Sequence, residues 1–212
     1  MRIQKIDVQE VHAVDVPQIL QDNNVPYQSI TRLNWPHDYP YLPSTSFGIA
    51  HTENAILLHF IATERCLRAY VTEDLGDVWT DACVEFFISP KDDGRYYNIE
   101  CNCLGKILFA VGEGRHNRVR ATKDVVSQID RWASLGGDCL GERAEDTAWQ
   151  VALVIPYSVF FAHDIKSLTT IKANFYKCGG SGEFEHYVSF SPISTPAPDF
   201  HRPEFFAEIS LD

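Results

Sequence analysis

The sequence predicts an all-β fold: an antiparallel β-sandwich carrying one or two short helical insertions. Three observations carry this expectation. About eight short apolar runs are separated by turn residues, the pattern of a sandwich or barrel. Aromatic residues reach 12% while Met occurs once, and a chain rich in Phe, Tyr and Val leans towards strands. Helical patterns are few and do not alternate regularly with the apolar runs, which disfavours a parallel βαβ sheet.

Taken in order, residues 33–46 (LNWPHDYPYLPSTS) are rich in Pro and aromatics and read as an ordered loop or an extended arm. The strand-like runs then follow at 55–62, 83–89, 96–103, 106–111, 149–155, 170–177, 186–190 and 205–211. Leu104-Gly105 joins the third run to the fourth as a tight hairpin turn. Between the fourth and fifth runs, Val125, Ile129 and Trp132 recur at i, i+4 and i+7, with Gly136-Gly137 placed to end a helix. A second helical turn is expected after Pro156. At 212 residues, one domain spanning 1–212 is the simplest organisation, because sandwiches often reach this length undivided.

Period-two alternation assigns faces to the central runs. Along 96–103, Tyr97, Ile99, Cys101 and Cys103 point one way and Asn98, Glu100 and Asn102 the other. Along 83–89, Val84, Phe86 and Ile88 share a face, and Glu85 lies opposite them beside Phe87. If these strands are neighbours, Glu85, Glu100 and Asn102 collect on one polar surface over an apolar core. A rigid row of acceptors and amides is what a ligand with many hydroxyls requires.

Charge and cysteine content narrow the partners. A formal charge of −11 repels phosphate backbones and argues against nucleic acid. No stretch approaches the roughly 18 apolar residues of a membrane span, so no membrane partner is expected. The six cysteines are too few to frame a domain of this length, and most lie in apolar runs as small core hydrophobes. Free thiols and an N-terminal stretch without an apolar signal region predict a cytoplasmic protein, or a secreted or periplasmic one whose signal has been trimmed. No nucleophile elbow, phosphate loop, dinucleotide fingerprint or metalloprotease helix occurs.

The stretch WTDACVEFFI at 79–88, YYNIECN at 96–102 and the turn at Gly105 resemble the family 9 carbohydrate-binding modules. They look more like the free-standing family-9-like proteins of bacterial polysaccharide-degrading systems. KANFY at 172–176 and FHRPEFF at 200–206 agree in the same order, so the resemblance covers about residues 50–212. It implies a β-sandwich that holds a sugar, often a chain end, between two aromatic walls, with polar contacts on neighbouring strands. It also implies that structural calcium is common. By position, Trp79 matches one wall, and Phe200 stands where the second, usually Trp, is expected. Glu85 and Asn102 match polar sugar contacts. Glu100 falls where an Arg is expected and Tyr176 where a Gln is expected, so the preferred sugar is expected to differ. Arg115 or Arg118 is a candidate to supply the missing cation.

Each candidate also has a plain structural alternative. Trp79 can pack at a strand edge, and Phe200 can be core. Glu85 can form a structural ion pair, while Glu100 and Asn102 can be a solvated sheet face. His201 can be an ordinary loop histidine, and Asn174 can serve the core. Trp149 and Trp132 read as structural. Asp74, Asp77, Asp81 and the Asp92-Asp93-Gly94 turn could offer oxygens to calcium, although they lack the spacing of an EF-hand loop. No cofactor is required by this reading. Two rival functions stand beside sugar binding. One is a glycoside hydrolase using Glu85 with Glu100 or Asp81, whose carboxyl groups would need to lie about 5–5.5 Å apart, or about 6.5–9.5 Å for inversion. The other is an interaction domain whose sugar site has decayed.

Overall fold

Apolar residues at alternate positions of two sheets meet in a shared interior, and this stacking is the body of the fold. The computed structural model describes residues 1–212. In chain order the strands are β1 Arg2–Lys5, β2 Gln28–Ser29, β3 Arg32–Leu33, β4 Ser44–His51, β5 Ala55–Glu64, β6 Leu67–Ala69, β7 Cys83–Ser89 and β8 Tyr96–Asn102. They continue as β9 Ile107–Gly112, β10 Val119–Arg120, β11 Asp130–Ala133, β12 Gly141–Arg143, β13 Thr147–Pro156, β14 Thr170–Gly179, β15 His186–Ser189 and β16 Ala207–Leu211. Two short helices, α1 Val16–Asp22 and α2 Lys123–Val126, complete the regular structure. Neither is long and apolar enough to cross a membrane.

The first sheet runs β10-β9-β8-β7-β14-β16, and the second runs β4-β5-β13-β11. β1 joins them: Arg2 and Ile3 pair with β16, while Gln4 and Lys5 pair with β4. Both pairings are parallel, so the sandwich is antiparallel except at this strand. Facing side chains interlock between the sheets. Phe175 stacks on Phe47 of the opposite sheet at 3.7 Å between ring centres and on Phe86 of its own at 5.0 Å. Val84, Phe86, Ile88, Tyr97, Ile99, Cys101 and Cys103 all enter this core, as alternation predicts.

The outer faces are not left to water. α1 covers the second sheet, setting Val16 and Leu20 against Ala50, Leu57, Ala152 and Val154. The first sheet is covered by loops. Trp35, from the Pro-rich arm, and Phe200 and Phe206 pack over Cys83, Phe87, Tyr96 and Tyr176. The arm is pinned there by the Trp35 indole, whose Nε1 donates to the Thr195 carbonyl at 2.7 Å. Outward residues of β7, β8 and β14 are thus buried beneath loops, which sets the position of the site described below.

Three expectations need correction. The arm expected at 33–46 ends earlier, because Ser44 already opens β4. The helix expected through Val125, Ile129 and Trp132 stops at Val126. After a Thr122 cap on the Val125 N–H, residues Asp130–Ala133 instead form β11 against the otherwise unpaired edge of β13. Satisfying that edge outweighs a weak helical period. The strands outnumber the eight runs: seven of the unread ones are two- to four-residue pieces that carry too little pattern, and the other is β4, whose sequence STSFGIAH mixes Ser and Gly into its apolar positions. The turn after Pro156 is present as the 3-10 segment Tyr157–Val159.

One glycine fixes the entry to β15. Gly180 has φ +77°, and a Cβ there would lie 2.1 Å from the Phe184 carbonyl oxygen. Gly180→Ala is expected to cost about 1–3 kcal/mol from backbone strain alone, more with the clash. A thermal melt within experimental error of the parent would refute this.

Candidate functional site

Register places the site. Glu85 lies directly opposite Glu100 of β8 and Tyr176 of β14, and Glu100 lies opposite Leu108 of β9. One step along, Phe87 opposes Asn98, which opposes Ala110. One step the other way, Cys83 opposes both Cys178 and Asn102. All these residues share the outer face of the first sheet. Above them opens a cavity of about 420 Å³, with Glu85, Glu100, Asn98, Leu108 and Cys178 among its floor residues.

Loops supply the walls. Trp79 sits on the 3-10 turn Val78–Thr80, is half exposed and lines the cavity. Phe200 lines it too, held by stacking on Tyr176 at 4.3 Å with the rings 11° from parallel. Arg115, Arg118 and His201 complete the set of sequence-derived candidates that meet here. Trp79, Glu85, Glu100, Phe200, Arg115, Arg118 and His201 therefore border a single space.

The polar groups are linked in order. Arg118 Nε donates to Asn98 Oδ1 at 2.8 Å, and Asn98 Nδ2 donates to Glu100 Oε1 at 2.8 Å. The Arg118 guanidinium also lies 4.3 Å over the Tyr96 ring and donates to three main-chain carbonyls. Its charge thus reaches Glu100 through an amide, and it is a strut more than a free hand. Arg115, by contrast, stands on the exposed rim. His201 Nδ1 meets the Tyr96 hydroxyl at 2.9 Å, and burial pulls its pKa down to about 3, so it is neutral at physiological pH.

Burial dominates the two floor carboxyls. Glu85 is pushed well above the usual range by desolvation, reinforced by Cys178 and by Glu100. Glu100 is pushed up to about 7 by desolvation, against the opposing pull of the Asn98 hydrogen bond, Arg118 and Arg120. Burial thus favours the protonated form of both floor carboxyls more than water does, and a protonated carboxyl can donate where a carboxylate only accepts. Glu100 Oε2 is buried without any hydrogen-bond partner. An unpartnered buried oxygen on a residue that lines a cavity is a group that a ligand's donor can satisfy.

Asn102 and Tyr176 stand apart from the cavity. Asn102 is wholly buried: Nδ2 donates to the Val71 carbonyl and to Asp81, and Oδ1 accepts from the N–H groups of Leu104 and Lys106. It shapes the hairpin at Gly105. Tyr176 lies behind Phe200 and donates its hydroxyl to the Phe200 carbonyl. Asn174 likewise serves the interior, bonded to Phe175 and to Ser191. Sequence reasoning passed over Asn98, Cys178 and Tyr187, which do line the space. Only Asn98 carried a signal, since it alternates onto the face of Glu100.

Of the acidic residues considered for calcium, Asp74, Asp81 and Asp93 already accept from N–H donors, while Asp77 and Asp92 are exposed beside a cation. Asp81 accepts from the Tyr70 and Val71 main chain and from Asn102. Asp74 accepts from Ile107 N and from Arg131. Asp77 faces Arg120, Asp92 faces Lys172, and Asp93 is held by Arg95 and His163. None belongs to a group of three converging side-chain ligand atoms. Asp81, bound in this way, is also not a wall of the cavity and does not pair there with Glu85.

The profile of carbohydrate-binding family 9 matches residues 14–211. A Bacteroides uniformis protein described as a candidate carbohydrate-binding protein superposes with a TM-score of 0.95 at 42% identity, over 100% of this chain and 98% of that one. A family 9 carbohydrate-binding module from Caldicellulosiruptor kristjanssonii, solved with cellotriose, superposes with a TM-score of 0.62 at 13% identity, covering 100% and 93% of the two chains. A structure of a family 9 module from the same organism with glucose gives 0.56, again at 13%, covering 100% and 95%. At that identity the likeness shows the fold. A zebrafish (Danio rerio) protein, the UPF0462 protein C4orf33 homolog, is 26% identical over 147 residues. That match spans 66% of this chain and 64% of the zebrafish protein, less than two thirds of the relative's length.

Proposed function

The chain belongs to carbohydrate-binding family 9, and from that premise we propose that its cavity grips the terminal ring of a saccharide between Trp79 and Phe200. The observation that carries this reading is the meeting of two aromatic walls and two carboxyls in one space. Sugar rings present C–H groups on one face, and an aromatic wall buries that face. Glu100, with an unpartnered oxygen, accepts from one hydroxyl, and Glu85 exchanges a hydrogen bond with the next. These floor groups are only 3% and 4% exposed, so an end of a chain reaches them more readily than a ring in mid-chain. Each hydrogen bond contributes about 0.5–1.5 kcal/mol net, which places the affinity at micromolar to millimolar.

Such a protein serves polysaccharide breakdown by holding released or exposed sugar ends. The register alone does not separate binding from hydrolysis, because directly opposed residues such as Glu85 and Glu100 stand near the spacing that a retaining hydrolase also uses, so the distinction is left to experiment.

Calorimetric titration of mono- and oligosaccharides tests the reading. Trp79→Ala removes one wall, worth about 1.5–3 kcal/mol, so at least a tenfold loss of affinity is expected. An unchanged dissociation constant in a folded variant, or saturable binding by no sugar in a broad panel, overturns it. Release of reducing ends that disappears in Glu85→Gln would replace binding with catalysis.

A further inference from the structure

We propose that Cys83, Cys178 and Glu85 form a site for a thiophilic divalent cation, zinc, whose fourth position opens into the cavity. The site stands on sheet register and on the convergence of three ligand atoms, and it does not require the sugar reading, although a bound cation would compete with a sugar for Glu85 and for Glu100 Oε2. β7 and β14 set Cys83 directly opposite Cys178, and Glu85 follows two residues along on the same face. The sulfur and carboxylate ligand atoms of the three all lie within 4.8 Å of one another. Cys178 Sγ is 3.2 Å from Glu85 Oε1.

These spacings are near what a tetrahedral cation demands. With metal–sulfur bonds of about 2.3 Å and a metal–oxygen bond of about 2.0 Å, tetrahedral edges are roughly 3.8 Å between sulfurs and roughly 3.5 Å between sulfur and oxygen. Small rotations of three side chains, on strands already fixed by hydrogen bonds, would close the shell. Two thiolates with one carboxylate suit zinc and exclude calcium or magnesium, which require oxygen shells.

The surroundings suit an open site more than a closed one. Cys83 is sealed in the fold, whereas Glu85 and Cys178 border the cavity, so a cation can enter from that side. Three protein ligands and one open position are the arrangement of an accessible zinc centre. Glu100, opposite Glu85, leaves Oε2 buried and unpartnered, where it can accept from a water on the cation's fourth position. The chain's other cysteines form no such group, and Cys139 stands alone at the surface.

The reduced, chelator-treated full chain, titrated with cobalt chloride and then zinc chloride, tests the proposal. The expected result is one cobalt per chain with intense thiolate-to-cobalt absorption, bleached by zinc. Cys83→Ser and Cys178→Ser should each weaken binding by at least about tenfold, and Cys139→Ser should leave it intact. Absence of the thiolate band in the parent, its loss in Cys139→Ser, or parental affinity in both core variants overturns the proposal. Should the core variants fail to fold, cadmium NMR of the parent decides. A shift typical of two sulfur ligands supports the site, and one typical of oxygen and nitrogen ligands alone overturns it.

Discussion

Lys177→Met is expected to cost about 3–5 kcal/mol of folding stability, the largest single effect outside the cavity. Lys177 on β14 and Glu64 on β5 come from opposite sheets and are both fully buried, 2.9 Å apart. The pair is enclosed by partners that leave little of either charge unsatisfied. Lys177 Nζ donates to both Glu64 and the Cys178 carbonyl, and Trp149 Nε1 donates to Glu64 at 2.7 Å. The third partner is His186, whose Nε2 accepts from Lys177 at 2.9 Å while Nδ1 faces the Phe184 carbonyl at 2.8 Å. That tautomer requires a neutral ring, and burial together with the Lys177 charge holds its pKa well below the usual value.

Methionine keeps much of the volume of lysine but strands the Glu64 charge in the interior, and that stranded charge is the source of the cost. It follows that Glu64→Gln added to Lys177→Met should recover a large part of the loss, because no charge then remains unpaired while the amide oxygen still accepts from Trp149. Denaturant titrations of the parent, the single variant and the pair decide the matter. A single-variant loss below about 1 kcal/mol, or a pair no more stable than Lys177→Met, would mean that the ion pair is not what ties the sheets together at this point.

How much of this was legible in the residues depended on sequence distance. The faces of β7 and β8 were readable because alternation is local and a short hairpin turn joins β8 to β9, so Glu85, Glu100 and the inward Phe86 fell where predicted. Asn102 shows the limit of that reasoning. It shares the face of Glu100, but a side chain at a strand end answers to its turn, and Asp81 with the Gly105 hairpin claims every polar atom it has. The Cys83–Cys178 opposition and the Glu64–Lys177 pair depend on the register between strands far apart in the chain, which no local period encodes. The helix expected across Ile129 and Trp132 failed for a related reason. The unpaired edge of β13 that recruits Asp130–Ala133 exists only once the sheet is built. Tyr176 lies on the expected late strand and opposite Glu85, yet Phe200 folds down over it.

The floor of the cavity makes a prediction about pH with a definite sign. Glu100 has its pKa raised from 4.5 to about 7 in the folded chain, chiefly by burial. A raised carboxyl keeps in the folded state a proton that the unfolded chain releases. The stability it contributes is therefore present below about pH 4.5 and is lost as pH rises through about 7. At about 1.4 kcal/mol per pH unit, the shift amounts to roughly 3 kcal/mol across that window. Glu100→Gln cannot ionise, and its amide oxygen can still accept from Asn98. Its Nε2 replaces the unpartnered Oε2 and adds a fixed cost of about 1–3 kcal/mol that does not vary with pH. The quantity to read is therefore the stability of the variant minus that of the parent, followed from pH 4.5 to 8 in the presence of a chelator. This difference should climb by about 3 kcal/mol in favour of the variant. His59, His186 and His201, all depressed by burial, pull parent stability down on the acid side, but they titrate alike in both proteins and cancel; Glu85, whose rise Glu100 reinforces, is relieved in the variant and moves the difference in the same direction. A difference that stays flat over this range would show that Glu100 is solvated like a surface carboxyl, and with it would go the dry, poised floor on which the sugar contact depends.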